Sequence, residues 1–98
     1  MSNMAGAAPV VVPPVLYLPV LEGPDESQRA VVRELADGRL GLLAYTALDR
    51  LADKCGADQP WVLVSLSELG LIKEQQPFDV VAFDIQVPLE QRPNGRIA

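Results

Sequence analysis

Residues Gln28 to Tyr45 read QRAVVRELADGRLGLLAY, and the reading of this stretch decides the fold. Its first half fits two local structures. As a helix, Gln28 to Ala36 is capped by Asp25 and stopped by Gly38. As a strand, it sets Ala30, Val32 and Glu34 on one face and Val31, Arg33 and Leu35 on the other. Asp37-Gly38 favours the strand, because both residues tolerate the positive φ that a two-residue type I′ turn requires. The apolar run Leu40 to Tyr45 follows at once, as a return strand should. The expectation is a β-hairpin, with the helix as its alternative.

Upstream, Val15 to Val20 is β-branched and aromatic and reads as a first strand. Pro19 lacks an N–H, so the strand is expected to end there or to lie at a sheet edge, open to pairing. Residues 1–14 read as a flexible Ala/Pro/Val-rich arm. Downstream, Thr46 to Asp49 matches a capping box for a helix over Ala47 to Cys55. Leu48, Leu51, Ala52 and Cys55 form its apolar face and Gly56 its stop.

Trp61 to Val64 is a short apolar run after Pro60 and reads as a buried strand. Ser65 to Glu68 is a second capping box, opening a helix with Leu66, Leu69 and Ile72 inward. Pro77 ends that helix. Val80 to Phe83 is apolar on both faces and reads as a central strand. Residues 88–98 form a polar tail. The order is a strand, a hairpin, then α-β-α-β, whose two crossovers should bring strands parallel. The fold expected is α/β, bordering on α+β. It is a single small domain over residues 15–87, with a mixed sheet of about five strands and two helices.

Composition narrows the function. The chain has 98 residues, 49% hydrophobic and 21% charged, which suits one globular domain with a small core. Its net charge of −5 and scattered basic residues oppose nucleic-acid binding. No apolar run approaches the length of a membrane span, and prolines break the apolar N-terminus, so neither a membrane segment nor a signal peptide is expected. The single cysteine, Cys55, excludes an internal disulfide. A cytoplasmic location is the expectation.

The catalytic vocabulary is thin. With no histidine, Ser-His-Asp and Cys-His arrangements are excluded. One cysteine without histidine cannot build a structural zinc site. Cys55 sits on the apolar stripe of its helix, at the end where the dipole disfavours a thiolate. No glycine pattern cradles phosphate. Asp84 interrupts an apolar strand and is read as a strand-end residue. Trp61 is read as core, with an exposed interface anchor as the alternative. Tyr17 and Tyr45 are candidates to present hydroxyls at the surface.

Three stretches together resemble a known family. Tyr17-Leu18-Pro19-Val20 is followed by Asp37-Gly38 with Leu43-Ala44-Tyr45-Thr46 and Leu48-Asp49-Arg50-Leu51, and then by Trp61-Val62-Leu63-Val64. In order and spacing these are similar to the SseB N-terminal domain family, and most of all to its small stand-alone actinobacterial members. The similarity covers Val15 to Val87. Tyr45 stands where the family usually has Phe, and Ala47 where Ser is common. The resemblance implies the hairpin and a mixed α/β sheet. It brings no catalytic residues.

The function expected is a non-enzymatic protein-interaction module, with a homodimer as one form, and with no cofactor and no metal. Its partner is another protein or a second copy, contacted through Tyr17, Tyr45 and Trp61. The alternative is a small-ligand sensor at the C-terminal strand ends, near Ser65, Ser67 and Asp84, where cap amides could hold an anion.

Overall fold

The structure is a computed structural model that describes residues 14–97, with the side chain of Glu26 left aside. The expected N-terminal arm lies outside these residues, except for Pro14. Six strands and two helices follow in order: β1 (Val15–Glu22), β2 (Gln28–Ala30), β3 (Val32–Glu34), β4 (Leu40–Ala44), α1 (Leu48–Cys55), β5 (Trp61–Ser65), α2 (Leu69–Gln75) and β6 (Val80–Phe83). The strands form two three-stranded sheets, β2-β1-β5 and β3-β4-β6. The molecule is thus a small mixed α/β domain.

The decisive stretch is a hairpin. β3 and β4 pair antiparallel with Glu34 opposite Leu40. The turn is not type I′, however. The Leu35 N–H donates to the Arg39 carbonyl and the Gly38 N–H to the Leu35 carbonyl. Of Asp37 and Gly38 only Gly38, at φ +87°, is left-handed. This is the longer hairpin connection in which a turn is followed by one glycine in the left-handed region.

β2 and β3 are two halves of one extended segment whose odd-numbered residues face a single edge. Arg29 on that edge meets Leu21 of β1. Val31 accepts from the Leu43 N–H, and Arg33 meets Gly41 of β4. β1 and β4 also touch directly, because Tyr17 and Tyr45 exchange N–H···O=C bonds of 2.9 and 2.8 Å. Three strands therefore converge on a Y-shaped junction.

Pro19 explains itself there. It is fully buried and lies on the same edge of β1, between the Tyr45 bridge and the Arg29 pairing. An N–H at this point of divergence would face no acceptor. Pro19 therefore neither ends β1 nor marks an edge. β1 is central, with β5 on its other side. The open edge expected at Val15 to Val20 is a wrong expectation.

Two further placements differ from expectation. Among the described residues β6 pairs with β4 alone and is an edge strand, not a central one. The two crossovers yield one parallel pair, β4 with β6, because β5 leaves for the other sheet and runs antiparallel to β1.

The helices cover opposite faces. Leu51 and Cys55 of α1 join Val31, Leu43 and Tyr45 in one core cluster. Leu69 and Ile72 of α2 pack against Leu16, Leu18, Leu42, Ala44 and Phe78 in the other. β4 is buried on both sides, which is why its sequence is an unbroken apolar run. The segment read as a tail returns to the first cluster through Ile97, beside Val87 at the expected end of the domain.

Candidate functional site

The sequence candidates fall into three places. Tyr17 and Trp61 meet on the outer face of the β1–β5 pair. Their rings stack edge to face at 5.3 Å and 67°. The register places Tyr17 opposite Leu63 and Pro19 opposite Trp61. By strand alternation Val15, Tyr17, Trp61 and Leu63 share this face. Trp61 is 41% exposed and Leu63 52% exposed. Trp61 is therefore an exposed residue, not the core residue expected. α1 and the returning tail bury the continuation of this face over Tyr45 and Val31, and no described residue covers β5 there.

Among the described residues β5 also has an open edge. The Val20 N–H donates to the Pro60 carbonyl and the Leu66 N–H to the Pro14 carbonyl. Even-numbered residues of β5 thus spend their backbone groups on β1, and Trp61 and Leu63 turn theirs outward. Residues Gln59 to Leu66 carry no charge. Soluble proteins usually protect such edges with charges, prolines or a covering element.

The edge of β2 shows what protection looks like. The Gln76 side chain donates to the Ala30 carbonyl and accepts from the Ala30 N–H, both at 2.9 Å. A primary amide there mimics a strand partner and closes the edge. Sequence reasoning missed Gln76, because 46 residues separate it from Ala30 and no local pattern marks it. Leu63 was missed as well. Its signal was the absence of any charge in Trp61 to Ser65, which equally suits a buried strand.

Tyr45 is elsewhere in role. It is completely buried and cannot present its hydroxyl at the surface. The hydroxyl donates to the Ile85 carbonyl at 2.6 Å, and burial drives its pKa strongly upward. Burial likewise raises the Cys55 thiol.

Asp84 sits just past β6 at φ +53°. Its carboxylate accepts from the Thr46 N–H at 2.9 Å, the Thr46 hydroxyl at 2.8 Å and Arg50 at 2.9 Å. Burial pushes its pKa up, but these donors together hold it below the ordinary value. The Thr46 hydroxyl is thus spent on Asp84 rather than on a helix amide. The first capping box does not form, and α1 starts from Ala47 without a side-chain cap. Asp84 is a brace between β6 and the start of α1.

Ser65 and Ser67 are together at the start of the turn into α2, their hydroxyls 2.9 Å apart. The Glu68 carboxylate accepts from the Ser65 N–H and hydroxyl at 2.8 and 2.9 Å, and these bonds lower its pKa. The position proposed for an anion therefore already holds a carboxylate. A cavity of about 250 Å³ lies elsewhere, beside Arg33, Leu35, Leu43 and Ile85. The Nε of Arg33 is buried and has no hydrogen-bond partner among the described residues.

No protein family, no characterised protein and no solved structure matches the chain. The function must be argued from this geometry.

Proposed function

We propose that the chain is a non-enzymatic interaction module that takes an extended segment of a protein partner onto the open edge of β5. One observation carries the reading: among the described residues β5 pairs on one side only, turns the backbone groups of Trp61 and Leu63 outward, and sets their side chains there unguarded by charge. Strand addition uses this combination, main-chain bonds for affinity and alternate side chains for selectivity. The contrast with the amide-capped edge of β2 supports it, since one edge is closed and the other left free. Tyr17 backs Trp61 from within the sheet and fixes its orientation. A place near the SseB N-terminal domain family and a cytoplasmic location belong to the same proposal.

The test is to pan a random peptide display library on the immobilised full chain. Selected peptides should be uncharged and β-branched or aromatic. They should shift the emission of Trp61, the sole tryptophan, and lose at least about tenfold in affinity against Leu63→Lys. Leu63 is half exposed, so this change should alter stability by no more than about 0.5 kcal/mol. Peptides that bind Leu63→Lys equally well would sink the reading.

The buried Nε of Arg33, without a partner among the described residues, favours a second reading, a sensor of small carboxylates. Thermal stabilisation by short aliphatic acids, abolished by Arg33→Gln, would support it over strand addition.

A further inference from the structure

We propose that the strand received at this edge is β5 of a second copy of the same chain, paired antiparallel about a two-fold axis through Val62. The proposal rests on the reading of β5 as the working edge and names its occupant.

Hydrogen-bond parity sets the register. Val62 and Val64 lie opposite Leu18 and Leu16 and turn their backbone groups to β1. Trp61, Leu63 and Ser65 turn theirs outward, but the Ser65 N–H is already donated to Glu68 at 2.8 Å. A two-fold contact must match this donor and acceptor set with itself. With the axis at Val62, Trp61 lies opposite the partner's Leu63. Each such pair exchanges two N–H···O=C bonds, and symmetry doubles the exchange without calling on Ser65. An axis at Leu63 would instead set the Trp61 carbonyl against the spent Ser65 N–H.

Side chains and charge agree with this register. A two-fold axis perpendicular to the sheet keeps both outer faces on the same side. Tyr17, Leu63, the partner's Trp61 and the partner's Pro19 then form one row across a continuous β1-β5-β5-β1 sheet. A symmetric row lies beside it. The two large exposed apolar side chains of the edge are covered by each other's counterparts. Continuing outward, Gln59 falls opposite the partner's Ser65, so no like charges meet in a chain of net charge −5. The same charge, spread over the other surfaces, disfavours association through them.

The experiment is sedimentation of the full chain from micromolar to millimolar concentration, with Trp61 emission followed in parallel. The expected result is a monomer–dimer equilibrium in which the emission moves to the blue as mass doubles. Leu63→Lys should stay monomeric and melt close to the midpoint of the dilute, monomeric wild-type chain. Val62→Cys should cross-link under mild oxidation, because non-hydrogen-bonded antiparallel residues lie about 4.5 Å apart at Cα, within disulfide range. The native thiol, Cys55, is buried and does not compete. A chain that stays monomeric overturns the proposal. So does a dimer that survives Leu63→Lys, or one that Val62→Cys fails to cross-link. Emission already blue in a monomer at every concentration also overturns it, and points to residues 1–13 of the same chain as the cover. If the monomer still selects peptides that engage Trp61, self-pairing fails and the interaction module stands. If neither occurs, both fail.

Discussion

At the scale of single residues, Asp84 shows how one side chain joins elements that sequence leaves separate. Its left-handed backbone turns the chain at the end of β6 and aims the carboxylate at Thr46 and Arg50. Asn tolerates the same backbone and keeps an acceptor for the Thr46 N–H. Asp84→Asn should therefore fold, and lose about 1–2 kcal/mol at neutral pH through weaker bonds to the Thr46 hydroxyl and Arg50. The folded pKa lies below the ordinary 3.8. A depressed carboxylate stabilises the fold fully above its unfolded pKa, and that contribution is lost as pH falls through the folded value. The gap between the two proteins' urea midpoints should thus be wide at pH 7 and close below about pH 4. A gap that stays constant with pH would show that Asp84 acts through its shape alone. The sequence marked Asp84 as an oddity inside an apolar run, and the strand-end reading matches its place. Its partners were hidden, since Thr46 lies 38 residues away and looked committed to a capping box.

At the scale of elements, local patterns were legible where local chemistry decides. The glycine turn, the Leu51–Cys55 stripe and the Ser65–Glu68 cap each depend on residues a few positions apart, and each forms. Strand placement was not legible. Trp61 to Val64 and Val80 to Phe83 are apolar runs, and a run of that kind reads the same at a sheet's centre or its edge. What separates them is long-range pairing, and what guards an edge can be a single amide. Gln76→Glu keeps the acceptor for the Ala30 N–H, removes the donor to the Ala30 carbonyl and sets charge against it. It should cost about 1–3 kcal/mol in chemical unfolding. Amide exchange at Ala30 should quicken while that at Leu18, in the same sheet, changes little. Equal acceleration at both positions would mean that Gln76 supports the whole sheet rather than its edge.

At the scale of the whole molecule, the C-terminal segment closes the core. Gln59 is buried, donates to the Val20 and Pro60 carbonyls, and accepts from the Ile97 N–H at 2.6 Å. The Val87 N–H donates to the Lys54 carbonyl, and Arg96 pairs with Glu22. Gly56 permits the approach. Its φ is +126°, and a Cβ there would overlap the Gly95 carbonyl. None of this was legible in a segment whose composition is polar, because one buried isoleucine near its end carries the packing. Gln59→Ala removes the side-chain partner of the buried Val20 carbonyl and Ile97 N–H, while the Pro60 carbonyl keeps the Val20 N–H, and should cost at least about 2 kcal/mol. Proteolysis should then cut first within residues 88–97. Cutting that begins in the hairpin instead would show that Gln59 serves the junction more than the tail.

The Y-shaped junction bears on how the domain comes apart. Residues 28–34 run without a break from one sheet into the other, pairing with β1 through their first half and with β4 through their second. Thermal melting should accordingly be a single cooperative step, with calorimetric and van't Hoff enthalpies equal, despite two separate core clusters. A cavity made at Leu18 in one cluster and a cavity made at Leu43 in the other should lower the same transition rather than split it. The continuous segment ties two small sheets into what should behave as one thermodynamic unit.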